Sequence, residues 1–110
     1  MKKKFKLSPE TTLDEIINRI EDLKSYDKLE MPVSEFENIF KHLGAKKEYA
    51  TGSSIRFSHP ELKANKDLNG FCSVHMIHGK KIELIEKVFY KRYVYRALYY
   101  LIQRQKDKQQ

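Results

Sequence analysis

The sequence has a single cysteine and no long apolar run, and these two scarcities exclude several classes of protein. Cys72 has no second cysteine with which to form an internal disulfide bond, which favours a reducing, cytoplasmic setting. No run of about 18 apolar residues occurs, so we expect no membrane span. The basic start of the chain leads into threonine and acidic residues instead of an apolar stretch, which is not the pattern of a secretory signal.

Motifs for metal, nucleotide and hydrolase sites are also missing. Cys72, His75 and His78 are spaced three apart, but the alternation of a strand sends Cys72 and His75 to opposite faces. There is no second cluster of closely spaced cysteines or histidines. Glycine-rich phosphate loops and the nucleophile elbow of hydrolases are absent as well. We therefore expect no metal site and no cofactor.

The net charge of +7 is concentrated in the last third of the chain. Residues 1–31 hold seven basic and seven acidic side chains, and residues 32–79 hold six and five. Residues 80–110 hold nine basic and three acidic side chains. A basic segment of this kind binds nucleic acid or an acidic protein partner, or simply forms a solvated helix face.

The first segment with helical periodicity lies near the N-terminus. Thr12 and Glu15 have the spacing of a capping box, which predicts a helix over about 13–25 after a flexible basic arm at residues 1–7. Its apolar stripe is narrow and must pack on this domain or on another chain. Residues 25–31 have the composition of a connector.

The second helix is predicted over about 34–43. Ser34 and Glu37 form a further capping-box candidate, and Gly44 stands where a helix ends in a left-handed residue. After Gly44 the periodicity becomes extended. We predict strands at 45–51, 54–58 and 71–77, a turn at Gly52-Ser53, a loop at 60–70, and a last helix over about 89–106. This order predicts an α+β fold with a three-stranded antiparallel sheet packed by helices.

The second strand has two chemically different faces. Ile55 and Phe57 lie on one side, because successive side chains of a strand point to opposite faces. Ser54, Arg56 and Ser58 share the other side. That side presents a cation flanked by small hydroxyl groups, which either binds a phosphate or faces water.

The element order and several short motifs resemble the HicA family of toxin–antitoxin toxins. The similarity covers roughly residues 33–102. Its motifs are Glu35 to Gly44, Gly52-Ser53, Arg56-Phe57, His59-Pro60, the strand that ends in Val74-His75-Met76-Ile77-His78, and Lys91-Arg92-Tyr93 with Arg96. The resemblance implies a double-stranded-RNA-binding-like fold (α-β-β-β-α), here with an extra N-terminal helix. It implies an mRNA-cleaving ribonuclease that is neutralised by a HicB-type antitoxin.

Under this interpretation the chain divides into three parts. Residues 1–31 form a basic arm and the N-terminal helix, residues 32–106 form the HicA-like RNA-binding domain, and residues 107–110 form a polar tail. The RNA-binding candidates are a set of hydroxyls and cations: Ser53, Ser54, Arg56, Lys80, Lys81, Lys91, Arg92 and Arg96.

The family's catalytic histidine follows the Gly-Ser by one or two residues, and this chain has Ser54 and Ile55 there. Metal-free RNA cleavage needs a base for the 2′-hydroxyl or an acid for the leaving oxygen, and histidine suits both roles. His59, His75 and His78 are the possible substitutes, and we take His59 and His75 as catalytic candidates.

An alternative hypothesis is a non-enzymatic interaction module. Its basic C-terminal helix would bind a protein partner or form a homodimer, with the N-terminal helix adding to that contact. For the tyrosines of that helix, stacking on bases and burial in the core both fit the pattern, and we place Tyr93, Leu98 and Leu101 in the core.

Overall fold

The computed structural model describes residues 5–65, 68 and 70–109, and these form an α+β fold. The elements in chain order are α1 (Leu13–Leu23), β1 (Glu30–Pro32), α2 (Ser34–His42), β2 (Lys46–Tyr49), β3 (Ser54–Ser58), α3 (Pro60–Lys63), β4 (Phe71–His75), β5 (Leu84–Glu86), α4 (Lys87–Phe89), a π-helical turn (Tyr90–Val94) and α5 (Tyr95–Lys108). The last three are continuous in the chain and are called the C-terminal helix below. It extends slightly beyond the predicted range at both ends.

A three-stranded antiparallel sheet of β2, β3 and β4 lies at the centre of the fold, as predicted. In its register Arg56 of β3 lies between Glu48 of β2 and Ser73 of β4. Ile55 and Phe57 point the other way and are fully buried, which confirms the predicted two-faced strand. The outer face of the sheet therefore carries Ser54, Arg56 and Ser58 with their cross-strand neighbours.

Helices cover the inner face and close one hydrophobic core. Phe40 of α2 stacks on Phe57 with ring centroids 4.2 Å apart, and Phe36 meets Phe57 edge to face. The C-terminal helix contributes Tyr90, Leu98 and further buried side chains to the same core. Aromatic pairs of this kind add to the free energy gained by burial alone.

Helix α1 belongs to this core rather than to a separate unit. The capping box of Thr12 and Glu15 is present, which confirms the predicted start of the helix. Ile16 and Ile20 are fully buried, and the Tyr90 hydroxyl donates a hydrogen bond of 2.7 Å to the Ile20 carbonyl. The narrow stripe of α1 thus packs against its own chain.

A two-stranded antiparallel ribbon of β1 and β5 was not predicted from the sequence. Met31 and Ile85 pair across it and both point into the core. Each strand has only three residues, and Pro32 ends the first. The predicted connector at 25–31 is confirmed for residues 25–29 and wrong for Glu30 and Met31, because so short a strand shows no measurable alternation of apolar and polar residues.

The predicted cap of α2 is also wrong. The N-cap is Val33 and no side chain caps the helix, so Ser34 and Glu37 do not form a capping box. Glu37 instead pairs with Lys47 on the inner side of β2, and Lys47 also binds Glu83 at 2.8 Å. The hydrogen bond from Lys47 lowers the pKa of Glu83.

Three further predictions can be compared with the structure. Gly44 has φ +91°, which confirms the left-handed residue at the end of α2. The predicted loop at 60–70 contains the short helix α3. Tyr93 is exposed, so its predicted core position is wrong, whereas Leu98 and Leu101 are buried. Within the described ranges, no helix combines the length and apolarity that crossing a lipid bilayer demands.

Candidate functional site

The antiparallel pairing of β3 with β4 places the end of β4 next to the start of β3 and to the tight turn that precedes it. Gly52 has φ +72°, a conformation that glycine adopts without strain. The Ser53 carbonyl then accepts a hydrogen bond of 2.7 Å from the Met76 amide, just beyond the end of β4. Side chains from both sides of this connection therefore meet at one end of the sheet.

Two serine–histidine pairs form at this end. The Ser54 hydroxyl lies 2.8 Å from His75 Nδ1, across the β3–β4 register. The Ser53 hydroxyl lies 2.8 Å from Nε2 of His78. Both imidazoles are exposed, whereas Ser54 is buried. We call Ser53, Ser54, His75 and His78 the Ser–His cluster.

In each imidazole of the cluster, one ring nitrogen contacts a serine hydroxyl, and the other has no hydrogen-bond partner among the described residues. His75 is held through Nδ1 and presents Nε2, and His78 is held through Nε2 and presents Nδ1. A hydroxyl both donates and accepts hydrogen bonds, so each serine fits the neutral and the protonated imidazole. The geometry lets either ring take up or release a proton at its available nitrogen.

Arg56 lies on the same outer face and forms no ion pair with a described residue, although Glu48 is its cross-strand neighbour on β2. Its guanidinium lies 4.1 Å from the centroid of the Phe71 ring, in a cation–π contact. Its Nε is buried and has no hydrogen-bond partner, and no carboxylate of the described ranges lies within ion-pair distance. The ring holds the guanidinium in place while its charge remains available to an anion.

His59, a predicted catalytic residue, makes a different kind of contact. It is the N-cap of α3, and its Nδ1 accepts a hydrogen bond of 3.0 Å from the Glu61 amide. The other side of the ring faces Gly44, so that a Cβ atom at position 44 would lie 3.4 Å from Nε2 of His59. The structure thus gives His59 a structural contact, and its catalytic role stays a prediction.

The predicted cations fall into two groups. Lys80 and Lys81 are exposed in the turn that follows His78, close in sequence to the Ser–His cluster. Lys91, Arg92 and Arg96 are exposed on the C-terminal helix. That helix contributes buried side chains to the core on the inner side of the sheet, whereas Arg56 lies on the outer face, and Lys91 lines a groove with Ile77 beyond the end of β4.

Cys72 is excluded as a nucleophile or ligand by its position. Its side chain points into the core, where burial raises the pKa of the thiol to about 12. The thiolate that reacts or binds metal is therefore not populated near neutrality. Over the part of the chain that the structure describes, no group of three His, Cys, Asp or Glu side chains is placed to hold a metal ion.

Two residues of the site, His78 and Phe71, could not be identified from the sequence alone. His78 is one of the three histidines that could substitute for the family's, but nothing in the sequence places it beside Ser53, 25 residues earlier. Phe71 was placed only as the start of a strand, and its contact with Arg56 depends on the β3–β4 register. Knowing that register would have identified Phe71, whereas His78 lies beyond the paired residues.

Comparison of the chain with protein-family models, with curated proteins and with solved structures gives no match, so its function has to be inferred from the site itself.

Proposed function

We propose that this protein is an RNA-binding protein of the HicA-like toxin type, and that it cleaves RNA at the Ser–His cluster without a metal ion. The observation that carries this proposal is the grouping of two exposed imidazoles, each positioned by a serine, at the end of a sheet face that also presents the unpaired Arg56.

The fold is compatible with this proposal. The order α2, β2, β3, β4 and C-terminal helix is that of a double-stranded-RNA-binding-like domain, to which α1, α3 and the β1–β5 ribbon are added. Ser54 and Ile55 stand where the resembled family has its histidine. His75 of β4 contacts Ser54, so an imidazole lies next to one of these two positions.

The chemistry requires one proton acceptor and one proton donor. One imidazole of the cluster removes the proton of a ribose 2′-hydroxyl, whose oxygen then forms a bond to the neighbouring phosphorus. The bond from phosphorus to the 5′-oxygen breaks, and the other imidazole, in its protonated form, donates a proton to that oxygen. The products are a 2′,3′-cyclic phosphate and a 5′-hydroxyl end.

Arg56 and the two turn lysines bind the phosphates in this proposal. The guanidinium makes charge-assisted hydrogen bonds to the phosphate that reacts, where it also stabilises the charge that develops during the reaction. Lys80 and Lys81, next to His78 in the chain, contact neighbouring phosphates of the strand. A HicB-type antitoxin, as the resemblance implies, would present acidic groups to the same cations.

The test is cleavage of a fluorescently labelled single-stranded RNA in the presence of EDTA. We expect cyclic-phosphate products with the parent protein and a loss of about a hundredfold or more in rate for His75→Gln and for His78→Gln. His42→Gln is the matched control, because His42 is an exposed histidine in the last turn of α2, outside the cluster. RNA binding by the two cluster variants should change little.

A DNA strand of the same sequence provides the second control. It lacks the 2′-hydroxyl that attacks the phosphorus, so we expect binding without cleavage. Equal RNA cleavage by the parent and both cluster variants would refute the proposed mechanism. Absence of any RNA binding would refute the proposed function as a whole.

A further inference from the structure

A groove beside the β1–β5 ribbon exposes aliphatic side chains that the fold leaves uncovered. Leu29 is 87% exposed, Ile82 is 60% exposed and Val88 is 44% exposed. All three line the same groove, together with Ile77 and Leu84, which are half-buried. We call this surface the ribbon groove.

The ribbon groove is formed by three parts of the chain that the β1–β5 pairing brings together. Lys87 donates its amide hydrogen to the Leu29 carbonyl, and Ile77 donates its own to the Leu84 carbonyl, both at 2.8 Å. The backbone on each side of the groove is therefore fixed before any ligand binds. A preformed apolar surface of this kind costs little ordering entropy on binding.

The exposed aliphatic residues are not scattered. Six large hydrophobic side chains of the described ranges are exposed, and the three aliphatic ones lie in this groove, whereas Tyr49, Tyr93 and Tyr99 are amphipathic and lie outside it. Grouped exposed apolar side chains mark interaction surfaces more often than single ones do.

The charges around the groove select the kind of partner. Its lining includes Lys28, Lys87 and Lys91, and none of the three forms an ion pair with a described residue. The exposed Lys80 and Lys81 immediately precede Ile82. Two carboxylates, Glu30 and Glu86, also line the groove, but the lysines outnumber them.

We propose that the ribbon groove binds an acidic amphipathic segment of another protein. Its apolar side chains cover Leu29, Ile82 and Val88, and its carboxylates pair with the surrounding lysines. A second copy of this chain fits less well, because it would bring another groove with an excess of lysine and a net charge of +7. RNA fits less well too, because the three most exposed hydrophobic side chains of the groove are aliphatic and offer no ring on which bases stack, and its one lining tyrosine, Tyr26, is partly buried.

The inference goes beyond the proposed RNA cleavage and does not depend on it. The Ser–His cluster plays no part in the contact, so substitution of the aliphatic residues Ile82 and Val88 should leave RNA binding and cleavage as in the parent. Conversely, His75→Gln and His78→Gln should keep full binding of the acidic segment.

The experiment is a selection from a library of random peptides displayed on phage. The parent protein is the bait, and the double variant Ile82→Ser/Val88→Ser is used to remove peptides that bind elsewhere. Tyr93→Ser/Tyr99→Ser is the matched control, because it replaces two side chains of similar exposure outside the groove. Thermal unfolding of both double variants establishes that they fold.

We expect the selected peptides to combine Asp or Glu with spaced aliphatic residues. Measured by fluorescence anisotropy, a synthetic copy should bind the groove variant about tenfold more weakly than the parent or the tyrosine variant. Failure to enrich any peptide, enrichment of peptides without acidic residues, or equal binding by the groove variant would overturn the inference. So would a concentration-dependent dimer of the parent that the groove substitutions abolish.

Discussion

Replacing Arg56 with glutamine tests whether the outer face of the sheet binds phosphate. The substitution removes a guanidinium that has no carboxylate partner among the described residues and that is held 4.1 Å above the Phe71 ring. If the Arg56 guanidinium contacts a phosphate in the parent, the complex of the variant with RNA lacks one hydrogen bond to a charged group, which is worth about 1.5–3 kcal/mol. Since about 1.4 kcal/mol corresponds to a factor of ten, the affinity for RNA should fall between about tenfold and a hundredfold.

The same substitution has a small expected effect on stability. It removes a cation–π contact of about 0.5–1 kcal/mol, since Arg56 is partly exposed. For a domain of this size the midpoint of thermal unfolding should fall by no more than about 8 °C. Binding and stability are thus affected to clearly different degrees.

Fluorescence anisotropy of a labelled single-stranded RNA at several salt concentrations is the appropriate assay. Loss of one phosphate contact should reduce the slope of log affinity against log salt by about 0.7. Lys41→Gln is the control, because it removes the same charge from an exposed side chain of α2. If both variants weaken binding equally, the effect comes from net charge alone and the reasoning about Arg56 is refuted.

Three further predictions concern the core and its edges. Tyr90→Phe should lower the free energy of unfolding by about 1–2 kcal/mol in urea titration, because it removes a buried hydrogen bond to α1, whereas Tyr99→Phe at an exposed position should have little effect. The Cys72 thiol should stay unreactive to a disulfide reagent at pH 8 until the protein unfolds, since burial raises its pKa to about 12; rapid reaction in the folded state would contradict this. Glu83→Gln should destabilise the protein at pH 7 and progressively less below pH 4.5. The contact with Lys47 lowers the pKa of Glu83 in the folded state, so its stabilising effect is lost as the carboxyl is protonated. A difference in stability that does not change with pH would exclude this pairing.

Local sequence signals predicted the elements whose causes are local. The capping box of Thr12 and the left-handed Gly44 depend on neighbouring residues, so both are readable from a few positions. Alternation placed β3 correctly because Ile55 and Phe57 face a core while Arg56 does not. The main sheet was therefore predictable, with its strand ends shifted by a few residues.

The errors arose where a distant partner decides the outcome. Ser34 and Glu37 have the spacing of a capping box, but Lys47 of β2 pairs with Glu37 and Val33 begins the helix. Of the flexible arm predicted at residues 1–7, residues 1–4 lie outside the described residues, and the prediction is wrong at Phe5. Phe5 packs against the core there and lies under the guanidinium of Arg19.

The residues of the candidate site also fall into two groups, those that local sequence signals indicate and those that depend on a distant partner. The sequence indicated Ser54, Arg56 and His75, because the Gly-Ser turn and the alternation of two strands place them. Ser53 precedes β3 and His78 follows β4, so their pairing depends on how these two antiparallel strands pair, and no spacing rule connects them. Register between strands is the information that one sequence lacks.

The contact between α1 and the C-terminal helix has a consequence for how the chain is made. Tyr90 with Ile20, Tyr95 with Glu21, and Lys106 with Asp14 join residues that lie 70, 74 and 92 positions apart. During synthesis α1 leaves the ribosome before the C-terminal helix, yet the burial of Ile16 and Ile20 is complete only after that helix has emerged. Until then the nascent chain carries an exposed amphipathic helix, which is the kind of surface that chaperones bind and that promotes aggregation.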